Sequence, residues 1–170
     1  MDAQHSTTVS RIRRLRARLF DCPIESFASA AWRYGNCHVR IGWTQNVNDT
    51  MFYNLFAPIL YHNFIGGPQV GDLFLNHVLL NVFLVIIRGP GALDCDPGIR
   101  SGSKTVDQLW GLMEITPGAI AASAILVHFA LSEDISLQPQ GSLTKINYKA
   151  YFHLYLKFLI SGLARGKKTI

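Results

Sequence analysis

The sequence predicts a single, mostly α-helical domain, irregular in its connections, with at most a minor β element. Three observations carry that expectation. Apolar residues make up 49% of the 170 and charged residues only 16%, a balance that suits one buried core and not a disordered chain. Three apolar stretches of helical length occupy positions near 72–88, 116–132 and 147–161. Each is bounded by residues that start or stop helices: Gly89-Pro90 after the first, Thr116-Pro117 before the second, Asn147 before the third.

Residues 1–20 form a basic N-terminal arm. Arg11, Arg13, Arg14, Arg16 and Arg18 stand against the lone Asp2, and Ile12, Leu15 and Leu19 fall at i, i+3 and i+7. A helix here has one narrow apolar stripe between arginines. The composition fits a solvated extension, a mitochondrial-type presequence, or an arm that binds nucleic acid or anionic lipid through its five arginines. Residues 157–170 add Lys157, Arg165, Lys167 and Lys168 without an acid, so the body between the ends is net acidic. A polyanion should therefore meet the termini first, weakly and without sequence preference, and salt should weaken it further. Removing residues 1–20 is expected to leave the body's stability unchanged.

Residues 21–50 read as an irregular lead-in. His38 to Trp43 alternate imperfectly and allow a short strand near 38–43, between turn signals at Gly35-Asn36 and 46–49. Cys37 beside His38 suggests a metal only superficially, because adjacent residues do not converge on one ion. Cys22, Cys37 and Cys95 have unrelated spacings, which points to a reduced, intracellular compartment, cytoplasmic or nuclear, with a mitochondrial address as the alternative.

The helical domain spans 51–162. Its first part, near 51–65, is apolar and aromatic and should kink at Pro58. From Asp72 to Arg88 a second segment is apolar around most of its circumference, with His77, Asn81 and Arg88 along one polar seam. That seam is the candidate site for an unrecognised enzyme. A membrane span is a poor reading: Leu73 to Ile87 covers about 22 Å of helix against roughly 30 Å of hydrocarbon, and it includes Asn76, His77 and Asn81.

The loop after Gly89-Pro90 holds two near-motifs. Gly98 to Thr105 resembles a phosphate loop, but Ser103 stands where the second glycine belongs, and no hydrophobic strand precedes it. Asp94, Asp96 and Gly98 hint at calcium, but the position for the bidentate glutamate is Thr105. A turn between helices explains the loop better.

The segment from Thr116 begins with small residues, Gly118, Ala119, Ala121, Ala122 and Ala124, and predicts the tightest crossing in the core, with Ala122 facing it. His128 further along reads as a hydrogen-bonded core histidine. After a polar loop, Asn147 caps a last helix that Gly162 should end. Tyr148, Tyr151, Phe152, Tyr155 and Leu159 form its inner stripe, and Lys149, His153 and Lys157 a basic outer one. Residues 163–170 remain as a basic tail.

No nucleophile elbow, zinc-protease helix, C-x-x-C or dinucleotide fingerprint is present, and no residue pattern calls for a cofactor, a metal or a catalytic role. The function expected is a non-catalytic helical interaction or scaffold domain, partnered by another protein or by its own copies. A weak nucleic-acid or anionic-surface binder is the alternative, followed by a membrane-associated protein or an enzyme with an unrecognised site.

A resemblance adds to this. The order Gly89-Pro90-Gly91-Ala92-Leu93, Trp110-Gly111-Leu112, Thr116-Pro117-Gly118-Ala119-Ile120-Ala121 and Phe129-Ala130-Leu131-Ser132 resembles an uncharacterised domain of unknown function that is abundant in mushroom-forming fungi. The likeness runs from about Phe52 to Leu159 and implies a fungal source. It brings no activity, cofactor or catalytic residue with it.

Overall fold

The computed structural model describes residues 3–20, 23–27, 29, 40–45, 51–62, 70–93 and 115–166. Among these the chain is mostly helical, as its patterning predicts: α1 (Ala3–Arg14), α2 (Arg16–Leu19), α3 (His77–Arg88), α4 (Pro117–Leu131) and α5 (Tyr148–Gly166). Two short strands, β1 (Trp43–Gln45) and β2 (Met51–Tyr53), pair antiparallel, with Trp43 opposite Tyr53 and Thr44 opposite Phe52. The β element thus lies later than 38–43, and residues 51–53 extend instead of opening a helix.

Helix α4 is the centre. From Ser123 to Leu131 every side chain is buried, which its nearly uniform apolar sequence requires. It packs on α3, α5 and α1. Thr116 caps it as the sequence indicates, its hydroxyl accepting from Ala119 N–H at 3.2 Å with Pro117 at the first helical position. Ala121 and Ala124 are the fully buried small residues, whereas Ala122 is half-exposed. The close crossing therefore lies on the face next to the one predicted.

Helix α3 starts five residues later than its apolar pattern suggests. Leu73 pairs with Tyr61 across an antiparallel bridge, and Phe74 takes a φ of 64°, which no helix tolerates. The start is set by Asn76, whose buried side chain accepts from Val78 N–H at 3.0 Å and donates to Tyr61 C=O at 2.9 Å. Its end is the predicted one: Gly89, at φ 88°, closes on Val85 C=O. The segment near 51–65 becomes β2, an Asn54 turn and a 3-10 turn at Pro58–Leu60, because Pro58 fits a first helical position but not an interior one. Gly42, at φ 106°, lets Asn54 N–H reach its carbonyl at 2.6 Å, and a Cβ there would collide with Asn54 C=O.

The N-terminal segment is not a solvated arm. Ile12 and Leu19 are almost fully buried, and Phe20 joins them in the core formed by α3 and α4. The stripe at i, i+3 and i+7 is packing. Helix α5 continues through Gly162 to Gly166. Gly162 has open space around its Cβ position, and a helical glycine costs only about 1 kcal/mol relative to alanine, so it weakens the helix without ending it.

Candidate functional site

Buried polar groups are where chemistry most often resides, and this core has two clusters of them. The first runs through His128 on α4. Tyr155 of α5 donates its hydroxyl to Leu55 C=O at 2.6 Å, so its oxygen is left to accept from His128 Nε2–H at 3.4 Å. His128 Nδ1 then accepts from Tyr53 O–H at 2.8 Å. The sequence Tyr53 to His128 to Tyr155 to Leu55 fixes the neutral Nε2–H tautomer. Burial drives the imidazole pKa down from 6.5 to about 3, and raises those of Tyr53 and Tyr155 well above 10. Tyr151 stacks on Tyr53 with ring centroids 5.2 Å apart and planes 6° apart. The cluster ties β2 to α4 and α5. Its polar atoms are engaged with one another around a buried imidazole, which is the geometry of a structural histidine.

The second cluster closes the loop between α4 and α5. The buried Asp134 carboxylate accepts from Leu143 N–H at 2.7 Å, Thr144 N–H at 3.2 Å, the Thr144 hydroxyl at 2.5 Å and the Tyr148 hydroxyl at 2.8 Å. Tyr148 oxygen also lies 3.1 Å from Ser132 Oγ, which itself donates to Phe129 C=O at 2.9 Å. Burial alone would raise the Asp134 pKa; the four hydrogen bonds outweigh it and hold the group below its ordinary value. Burial raises Tyr148. Gly141 sits so close that a Cβ would strike Asp134 Oδ2 and Thr144 Oγ1. The carboxylate is saturated with donors and serves as the anchor of a folded loop.

The five arginines divide. Arg13 Nη1 donates to Ile135 C=O at 2.7 Å while its guanidinium lies 4.1 Å from the Phe129 ring centre. Arg16 lies over Phe27 at 5.1 Å, donates Nε to Arg13 C=O at 2.9 Å, and places Nη1 3.4 Å from Ala130 C=O in the last turn of α4. Both are half-buried and hold α1 and α2 against the C-terminal end of α4. Arg14 and Arg18 are exposed, and Arg11 is half-buried.

The outward face of α5 combines exposed basic and apolar residues. Lys149, His153 and Lys157 are exposed along it, as their spacing indicates. Beside them Ile160 is 53% exposed and Leu163 56%, and Leu156 is half-buried. Leu156, Ile160 and Leu163 stand at i, i+4 and i+7, one apolar row on a helix. Among the described side chains, Leu159 is the last hydrophobic residue of α5 that packs on the core.

Most of these elements fall within one family match. The chain belongs to the DUF6698 family, a family of unknown function. The match covers residues 39–169, from the start of the β ladder through α5. It leaves out α1 and α2, whose Ile12 and Leu19 sit in the same core. The comparison with curated proteins finds no match, and neither does the comparison with solved structures.

His77 and Arg88 of the predicted polar seam are exposed and Asn81 is half-buried, so the seam lies along the outer side of α3 together with the exposed Leu80. Gly98 to Thr105, Asp94, Asp96, Trp110, the Cys37-His38 pair and all three cysteines lie outside the described residues. Among the described residues no group of three His, Cys, Asp or Glu side chains is placed to hold a metal, and no helix is long and apolar enough to cross a membrane. Sequence reasoning missed the Asp134 anchor. Its signal was Ser132-x-Asp134 directly after a helix end, followed by Gly141 and Thr144.

Proposed function

We propose that this chain is a non-catalytic helical interaction or scaffold domain that presents the outward face of α5 to a protein partner. The observation that carries this is the pair Ile160 and Leu163, each more than half exposed on a helix that runs on after its last core contact. Apolar area left in water at this end of α5 returns roughly 25 cal/mol per Å² when a partner covers it. The two buried polar clusters support the same reading from the other side, since their donors and acceptors are spent on holding the fold. The compartment we propose is intracellular, cytoplasmic or nuclear, and the motif order shared with mushroom-forming fungi supports a fungal source.

A photo-cross-linking amino acid at position 160, compared with one at the exposed loop position 142, tests the proposal in cells. Adducts to protein from position 160, lost when Leu163→Asp is added, are the expected result. Equal labelling from both positions would refute it. A second reading rests on Arg11, Arg14 and Arg18, which share one side of an acid-free helical segment. It predicts weak binding to duplex DNA or acidic vesicles at low salt, reduced by charge reversal at Arg14 and Arg18 and largely gone at physiological salt; affinity that resists salt would contradict it.

A further inference from the structure

Building on the α5 surface just proposed, we infer that its occupant is an acidic amphipathic helix of a partner protein. Ile160 and Leu163 are the exposed apolar positions of a row at i, i+4 and i+7 whose first member, Leu156, is half-buried and packs partly on the core; a second helix covers such a row with its own apolar seam. Lys149, His153 and Lys157 run beside that row at intervals of four residues, all exposed. No aspartate or glutamate occurs anywhere from residue 135 to residue 170, whereas six lysines and arginines do. The cationic row therefore has no acid on its own helix to neutralise it, and charge complementarity assigns acidic flanks to whatever lies across the seam.

The same facts argue against other occupants. A second copy of α5 would bring only further cations to the contact and no acid to pair them, in either orientation. Nucleic acid would satisfy the lysines but leave Ile160 and Leu163 against phosphate and water, with no apolar contact in return. An anionic bilayer could take both rows through this one face, and phosphatidylserine vesicles are therefore the control in the test below. The exposed row runs along α5, which suits a partner helix lying beside it.

Two fluorescent synthetic peptides of about three heptads provide the test, both with leucine at the a and d positions. One carries glutamate at e and g, the other lysine. Anisotropy titrations of the full chain at about 0.15 M salt should show the glutamate peptide binding about tenfold or more tighter than its lysine twin. Lys149→Glu/Lys157→Glu should reverse that preference, and Ile160→Asp/Leu163→Asp should abolish binding of both, with thermal melts confirming that each variant folds. Equal affinity for the twins, an unreversed preference, or no binding of the glutamate peptide would overturn the assignment. So would tighter binding to phosphatidylserine vesicles or duplex DNA. Cross-links from position 160 without peptide binding refute the acidic helix and leave the α5 surface standing; absence of both removes the surface as well.

Discussion

Replacing Asp134 tests whether one carboxylate organises the connection from α4 to α5. Alanine there strands four donors: the N–H groups of Leu143 and Thr144 and the hydroxyls of Thr144 and Tyr148. The Tyr148 hydroxyl can turn to Ser132 Oγ, 3.1 Å away, and the exposed Leu143 can admit water to its own N–H. The buried Thr144 N–H has neither route. Each stranded donor costs about 1–3 kcal/mol, so Asp134→Ala should destabilise by about 3–5 kcal/mol. Asparagine keeps an acceptor for the two N–H groups but turns an NH₂ toward the hydroxyls, and should cost about 1–2 kcal/mol. Urea melts near pH 7 measure both. The pH dependence follows from the direction of the pKa shift: a folded value below 3.8 contributes stability that is complete above 3.8 and is lost as pH falls through the folded value. Asp134→Asn should lack that part of the acid limb. An alanine variant within about 1 kcal/mol of the parent would mean the network adds little to the fold.

The docked N-terminal helix leads to a second expectation, opposite to the one its charge alone suggests. Removing residues 1–20 uncovers the core where Ile12, Leu19 and Phe20 sit, worth on the order of 5–9 kcal/mol of burial, so the truncated chain should lose its cooperative melt. At the α4 crossing, Ala124→Leu should overpack and cost about 1–3 kcal/mol, while Ala122→Leu on the half-exposed face should cost clearly less in the same urea melts. His128 supplies the fourth. Its stabilising neutral state is complete above 6.5 and is lost as pH falls from there toward about 3, because the unfolded histidine takes a proton that the folded one refuses. Between pH 7 and 5 the parent should lose about 2 kcal/mol more than His128→Gln, read as urea midpoints.

What could be read from the sequence was local. Thr116-Pro117, Asn147 and Gly89 mark helix ends because a cap needs only side chains within a few residues, and all three hold. The inner aromatic stripe of α5 and the buried His128 follow from periodicity for the same reason. Failures arise where a distant residue decides. Asp72 does not begin α3 because Leu73 bridges to Tyr61 and Phe74 is turned into the left-handed region. Arg13 and Arg16 look like free charge until Phe129 and Ala130, more than a hundred residues away, appear beneath them. Gly162 fails as a stop signal because nothing next to it demands a positive φ. For the surface, the basic stripe on α5 was legible, but the exposure of Ile160 and Leu163 was not, since it depends on where the core ends.

The claim that the outer face of α5 is surplus to the fold is tested most directly by the urea midpoint of Ile160→Asp/Leu163→Asp. Both side chains are more than half exposed, so the double variant should unfold within about 0.5 kcal/mol of the parent while its cross-links and peptide binding disappear. A loss of about 2 kcal/mol or more would contradict the account, because it would place these two residues inside the structure's own packing and leave no open face for a partner.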